Sequence, residues 1–161
     1  MGSPSVQLSA HYGAGIGMDY VLMHSNDQVS LGINPNINLC FQFSNLYGIS
    51  FLGTAPVYML ARLGAGSTPY NEQKFGIGAG IGGSYSYIAT SYAGGGSSGV
   101  FKTGFFNPGA VVELQFNTRV TNYLFRFNWS LLKPVREVEL GVNQTFPFNL
   151  GVTGVAIYTS F

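Results

Sequence analysis

Only 8 % of the 161 residues are charged, so the side chains able to do ionic or acid–base chemistry can be taken one by one. Glu113, Arg126 and Glu139 fall in the polar series of three consecutive predicted strands. At matched depth, Arg126 would lie between two carboxylates and bond both through its planar guanidinium. Asp19, Arg62 and Lys74 belong to the same inward series on other strands. The set is expected to form a charge network filling an interior. The alternative is a gate, whose rupture would open a water path. Buried ion pairs are weak evidence for stability, so the expected contribution is register and closure.

Other candidates are weaker. His24, Ser25 and Asp27 sit together at a turn, with His11 inward on the preceding strand. Neighbours along a strand point to opposite faces, so His24 cannot activate Ser25 unless the turn curls. Ser25-Asn26-Asp27 is also ordinary turn chemistry. The Gly-x-Gly repeat from Gly76 to Gly82 has no helix after it and fails the context test for a phosphate loop. Cys40 is the single cysteine, which excludes an intrachain disulfide and cysteine-built metal clusters. It reads as a small interior residue. No cofactor and no metal set is expected.

The elements that must position these residues have one property in common, an alternation of period two. Val6, Leu8, Ala10, Tyr12, Ala14, Ile16, Met18, Tyr20 and Leu22 form one series, and Gln7, Ser9, His11, Gly13, Gly15, Gly17 and Asp19 the other. Period two means a strand with two chemically different faces. The seventeen residues from Val6 to Leu22 at about 3.3 Å each extend roughly 55 Å, enough to cross a bilayer when tilted. No run approaches the length of an apolar helical span, because polar residues interrupt every second position. A closed barrel is the remaining way to cross lipid with all backbone hydrogen bonds made. Aromatics at 15 % argue against disorder, and a net charge of +1 leaves no basic stripe for nucleic acid.

Eight segments carry the pattern: 6–23, 28–44, 47–64, 74–91, a fifth centred on 110–116, 120–132, 136–143 and 150–161. The expected fold is therefore all-β, an antiparallel up-and-down transmembrane β-barrel of eight strands. Pro35 marks either a bulge or a hairpin that would raise the count to ten. Gly94 to Gly99 reads as a flexible connection. Residues 1–4 read as a disordered leftover start and 5–161 as one barrel domain, with the export signal removed. An even strand count puts both chain ends on the same side of the membrane.

Charge placement decides which face meets lipid. The apolar series carries almost no charge, while the polar series holds the isolated charges and the row Gly76, Gly78, Gly80, Gly82. Exposed to water, that glycine row would give poor solubility and no edge protection. Turned inward, the charges become lumen groups and the lipid face stays clean. Tyr12, Tyr20, Tyr85, Tyr87, Tyr123 and Trp129 in the outward series fit an interfacial girdle. Inward glycine leaves either a water path or space for bulky neighbours, and eight strands favour the filled interior.

The terminal run from Gly154 to Phe161 resembles the carboxy-terminal assembly signal of Gram-negative outer-membrane barrels. Phe161, Ile157 and Val155 match its alternate apolar positions, and Thr159 departs from the aromatic or larger apolar residue usual there. In pattern and size nearly the whole chain resembles small eight-stranded outer-membrane proteins typified by the OmpA membrane domain and OmpX. That resemblance implies an outer-membrane location, contact with the lipid bilayer and with the assembly machinery, and an interior filled by ionic networks. It implies location more strongly than activity. Other members of that membrane, acylases and deacylases of lipid A, use histidine and serine near the outer rim.

The expectation is a non-enzymatic, structural or partner-binding barrel with a narrow, mostly plugged lumen. Other envelope proteins could contact its wall. A small pore for water-soluble or amphipathic solutes is the second reading, and a lipid-modifying enzyme a remote third.

Overall fold

A computed structural model describes residues 12–44, 48–68, 70–94, 97–118, 121–132, 135–139, 145–149 and 152–160. All regular structure in these residues is strand. In chain order the elements are β1 (Tyr12–Gly17), β2 (Tyr20–Ser25), β3 (Val29–Ser44), β4 (Gly48–Gly64) and β5 (Phe75–Gly94). There follow β6 (Ser97–Asn117), β7 (Asn122–Ser130), β8 (Val135–Glu139), β9 (Thr145–Asn149) and β10 (Thr153–Ser160). Eight of them form one antiparallel sheet in the order β1-β3-β4-β5-β6-β7-β10, with β2 also on β3, curled into a half-barrel. The all-β, up-and-down architecture expected from the alternation is what the chain adopts.

Details of the lanes differ. β1 and β2 both pair with β3, Tyr12 opposite Phe41 and Tyr20 opposite Ile33, so they are one lane interrupted at Met18 and Asp19. Pro35 neither ends β3 nor makes a hairpin. The ladder between β3 and β4 instead skips from Pro35↔Val57 to Asn38↔Thr54, where Pro35 and Pro56 each lack a donor. Of the glycine-rich 94–99 stretch, Gly94, Ser97, Ser98 and Gly99 belong to the sheet, because β5 and β6 stay paired out to Gly94↔Ser97, and residues 95 and 96 lie outside the described residues. Among the described residues β8 pairs only with β9, as a separate two-stranded sheet, and β7 pairs with β10. The expected seventh lane is therefore not beside β7. Seven antiparallel lanes make β1 and β10 run in the same direction, so the first and last lanes do not return to one rim.

The two ends of the sheet are unlike. At the end holding the β2–β3, β4–β5 and β6–β7 connections, the β2–β3 turn is tight and the β4–β5 connection is a ten-residue loop, 65–74. Asn26 and Asp27 have φ of 50° and 52°, the two left-handed positions of a two-residue hairpin turn, closed by Gln28 N–H donating to Ser25 O at 3.1 Å. The β4–β5 loop folds back over this end. Ser67 Oγ and Asn71 Nδ2 both donate to Asp27 O, and Gly64 and Gly66 supply the φ of 79° and 75° that the reversal needs. Ala65 and Ser67 are buried in consequence. At the opposite end the long β5–β6 hairpin rises well past the last β7 pair.

Burial follows the alternation. Tyr58, Leu60 and Val111 are buried on the concave face, as are Ser30, Asn34, Arg62, Ser86, Glu113 and Arg126. The convex face is apolar and open: Ile81 is 68 % exposed, Val155 67 % and Ile157 62 %. Large hydrophobic side chains point out, and Asp19, Arg62, Glu113 and Arg126 point in. This is the reverse of a soluble barrel.

Candidate functional site

One row of backbone partners crosses the sheet: Ser30, Arg62, Gly78, Glu113, Arg126 and Ala156. Arg62 and Glu113 lie two lanes apart, about 10 Å at the usual strand spacing. Gly78 occupies the lane between them with no side chain, and Arg62 reaches over it. Its Nε donates to Glu113 Oε2 at 2.8 Å. The other carboxylate oxygen, Oε1, accepts from Arg126 Nε at 2.8 Å and also from Arg126 Nη2. Arg62 Nη2 donates to Asp19 Oδ1 at 2.8 Å.

The result is a chain Asp19–Arg62–Glu113–Arg126 with two positive and two negative charges. Glu113 is 1 % exposed, Arg126 3 % and Arg62 7 %. Every charge in it has an opposite neighbour, the condition under which such groups can be buried.

Local structure explains the geometry. The break at Met18 and Asp19 lets Asp19 turn toward the concave face, and Met18 N–H donates to Pro35 O at 3.0 Å to hold it. Asn34 Nδ2 donates to Asp19 Oδ1 and to Met18 O, and Asn36 Nδ2 donates to Asn34 Oδ1. At the other end the Arg126 guanidinium stacks 5.0 Å over the Tyr158 ring. The Tyr158 hydroxyl donates to Asn38 Oδ1 at 3.4 Å, linking β10 to β3.

Of the six charges expected in the network, the structure brings four together. Lys74 is not among them. It precedes β5, is exposed at the rim, and passes its carbonyl to Asn117 N–H at 2.9 Å. Arg126 is not flanked by Glu139, because its second neighbour is Ala156 on β10. Glu139 is the last residue of the off-sheet strand β8, and its side chain lies outside the described residues. Val155 and Ile157 stand outward on β10 opposite Phe127 and Phe125, and Phe161 lies outside the described residues.

The rim histidine behaves as turn chemistry. His24 Nδ1 lies 3.5 Å from Asp27 Oδ1, and no hydrogen bond joins it to Ser25 among the described residues. His11 lies outside them. Reasoning from sequence missed Tyr158, Asn36 and the role of Gly78. The glycine row was visible, but not which long side chains would lie across it.

Interior and exterior together define a class: an antiparallel, barrel-like sheet with an ionic interior and an apolar outer wall. No family model, no curated protein and no solved structure matches the chain.

Proposed function

We propose that the chain is a small β-barrel of a Gram-negative outer membrane, with a structural or partner-binding role and no catalysis, its lumen held shut. The observation that carries this is the Asp19–Arg62–Glu113–Arg126 chain, lying across the concave face beneath the buried layer of Tyr58, Leu60 and Val111.

The outer wall supports the membrane part. On β5 the outward residues from Phe75 to Tyr85 enclose Ile77, Ala79, Ile81 and Gly83. On β6 those from Phe116 to Phe106 enclose Leu114, Val112, Ala110 and Pro108. Aromatic residues bound both runs and no charge lies between. Ten residues at about 3.3 Å span about 33 Å along the strand, which a tilt of roughly 40° reduces to about 25 Å, the height of a barrel's apolar band. Charged residues begin just beyond it, at the exposed rim residue Lys74 on one side and at Lys102 in the outward series of β6 on the other. The end holding the β2–β3 turn then faces the periplasm and the tall β5–β6 hairpin faces outside.

In lipid, the sheet edges need partners. A strand running against both β1 and β10 would close the sheet with an even count. Besides lipid and the assembly machinery, other envelope proteins against the wall complete the partner list.

Planar-bilayer recording tests the shut lumen. Wild-type protein is expected to give no steady conductance, and Glu113→Ala to give steady openings. Steady wild-type openings would replace this reading with a small solute pore.

A further inference from the structure

The β6 lane outruns its neighbour. Pairing with β7 stops at Gly109↔Ser130, while pairing with β5 continues through Asn107↔Ser84. Asn107 therefore reaches the concave face where β7 has already ended. Its side chain is 2 % exposed, yet neither Nδ2 nor Oδ1 has a hydrogen-bond partner. A buried amide with both ends unmet is costly, and native proteins seldom keep one without a use.

Asn107 lines a partly open cavity of about 20 Å³, room for one group the size of a water molecule. Thr54, Tyr58, Ser84, Asn128 and Ser130 line it too, and none of its lining residues is charged. The Thr54 hydroxyl oxygen accepts from Asn38 Nδ2 at 3.1 Å, which leaves its proton to donate. Ser130 is a fixed wall: its hydroxyl donates to Val152 O and accepts from Val152 N–H, both at 2.9 Å.

The chemistry selects the ligand. Asn107 presents an acceptor and donors together. A hydroxyl can donate to Oδ1 and accept from Nδ2. A carboxylate only accepts and an ammonium only donates, so either leaves half the amide unmet. The ion chain is no competitor, since Glu113 stands six residues along β6 from Asn107, about 20 Å. Tyr58, Leu60 and Val111 lie between and close the floor.

We propose that the concave face at Asn107 binds a neutral polyhydroxylated molecule, a sugar or polyol. One hydroxyl enters the cavity and the remainder lies toward the rim where β5 and β6 project. The floor makes this a binding site and not a passage. The proposal does not rest on membrane placement.

The test is a titration of the refolded full chain in an amine-oxide detergent, which carries no sugar, or in plain buffer should the protein prove soluble. Glycerol, glucose and a disaccharide are compared with acetate and ammonium, read by Trp129 fluorescence and by the Asn107 side-chain amide resonance. Saturable shifts with the neutral compounds alone are expected. Asn107→Leu, of similar size, should weaken binding at least about tenfold without lowering the unfolding midpoint. Should that variant not fold, Thr54→Val should weaken binding severalfold by removing the donated proton. A second arm uses vesicles with and without a glycosylated lipid. Saturation by free sugar assigns a soluble source, and saturation only by the glycosylated vesicles assigns a lipid headgroup. No saturable shift in either arm, equal response to acetate, or undiminished binding by the folded variant overturns the proposal.

Discussion

Arg62 and Glu113 are joined at 2.8 Å although their strands, β4 and β6, are not neighbours. The contact exists because Gly78 fills the lane between them with backbone alone. A Cβ there would sit 3.1 Å from Arg62 Cγ and 3.2 Å from Glu113 Oε2. The glycine is thus part of the ionic site while contributing no side chain to it.

Substituting it should report that directly. Alanine in place of a strand glycine ordinarily stabilises by reducing unfolded-chain freedom. Gly78→Ala is expected to do the opposite and cost about 1 kcal/mol, and Gly78→Leu about 3 kcal/mol. Gly53→Ala is the control, because its Cβ would make only ordinary contacts with Phe51 and Leu39. Urea unfolding in lipid vesicles measures all three. Equal effects at Gly78 and Gly53 would remove the glycine from the site.

The ion chain should be strongly non-additive. Glu113→Gln leaves Arg62 and Arg126 buried without the carboxylate between them, an expected loss of about 3–5 kcal/mol. Arg126→Met leaves Glu113 still paired with Arg62 and should cost about 2 kcal/mol. The double variant should cost clearly less than the sum, because Arg126 is then no longer left buried without its carboxylate and Arg62 keeps Asp19. Additive losses would mean that the two side chains do not interact.

Charge on the outer wall should matter by depth. Ile81 lies near the middle of the aliphatic run on β5 and Tyr85 at its aromatic end. In a bilayer Ile81→Lys is expected to cost about 2–4 kcal/mol and Tyr85→Lys about 0–1 kcal/mol. Folding yield into vesicles, with unfolding midpoints, gives the comparison. In a water-soluble fold both substitutions on this exposed face would be nearly neutral, and the membrane reading would fall.

Trp129 is the single tryptophan and stands outward on β7, opposite Ala110 and Thr153. It should be quenched by lipids brominated on the acyl chain and spared by aqueous iodide. The reverse pattern would place this wall in water.

The interior was legible in the sequence to the extent that it follows from alternation. Arg126 and Glu113 share a face and belong to adjacent strands of one tight hairpin, so their pairing could be read from local order. Arg62 stands 51 residues before Glu113, and Asp19 a further 43 before Arg62. Joining those needs the register of four ladders and an empty lane, which no local pattern carries. Lys74 misled because its place in the polar series was real but the strand begins one residue later. Glu139 misled because β8 follows β7 in the chain yet pairs with β9.

Which face of each strand is greasy and which holds polar groups was decided by the amino-acid sequence, because side-chain direction in a strand alternates with a period of two residues. Which interior groups meet was decided only by the tertiary structure. Contact between strands depends on lane order and register, and these are set by ladders that close over many residues. The orphaned Asn107 amide belongs to the second kind. Nothing in its neighbours along the chain says that β7 ends beside it.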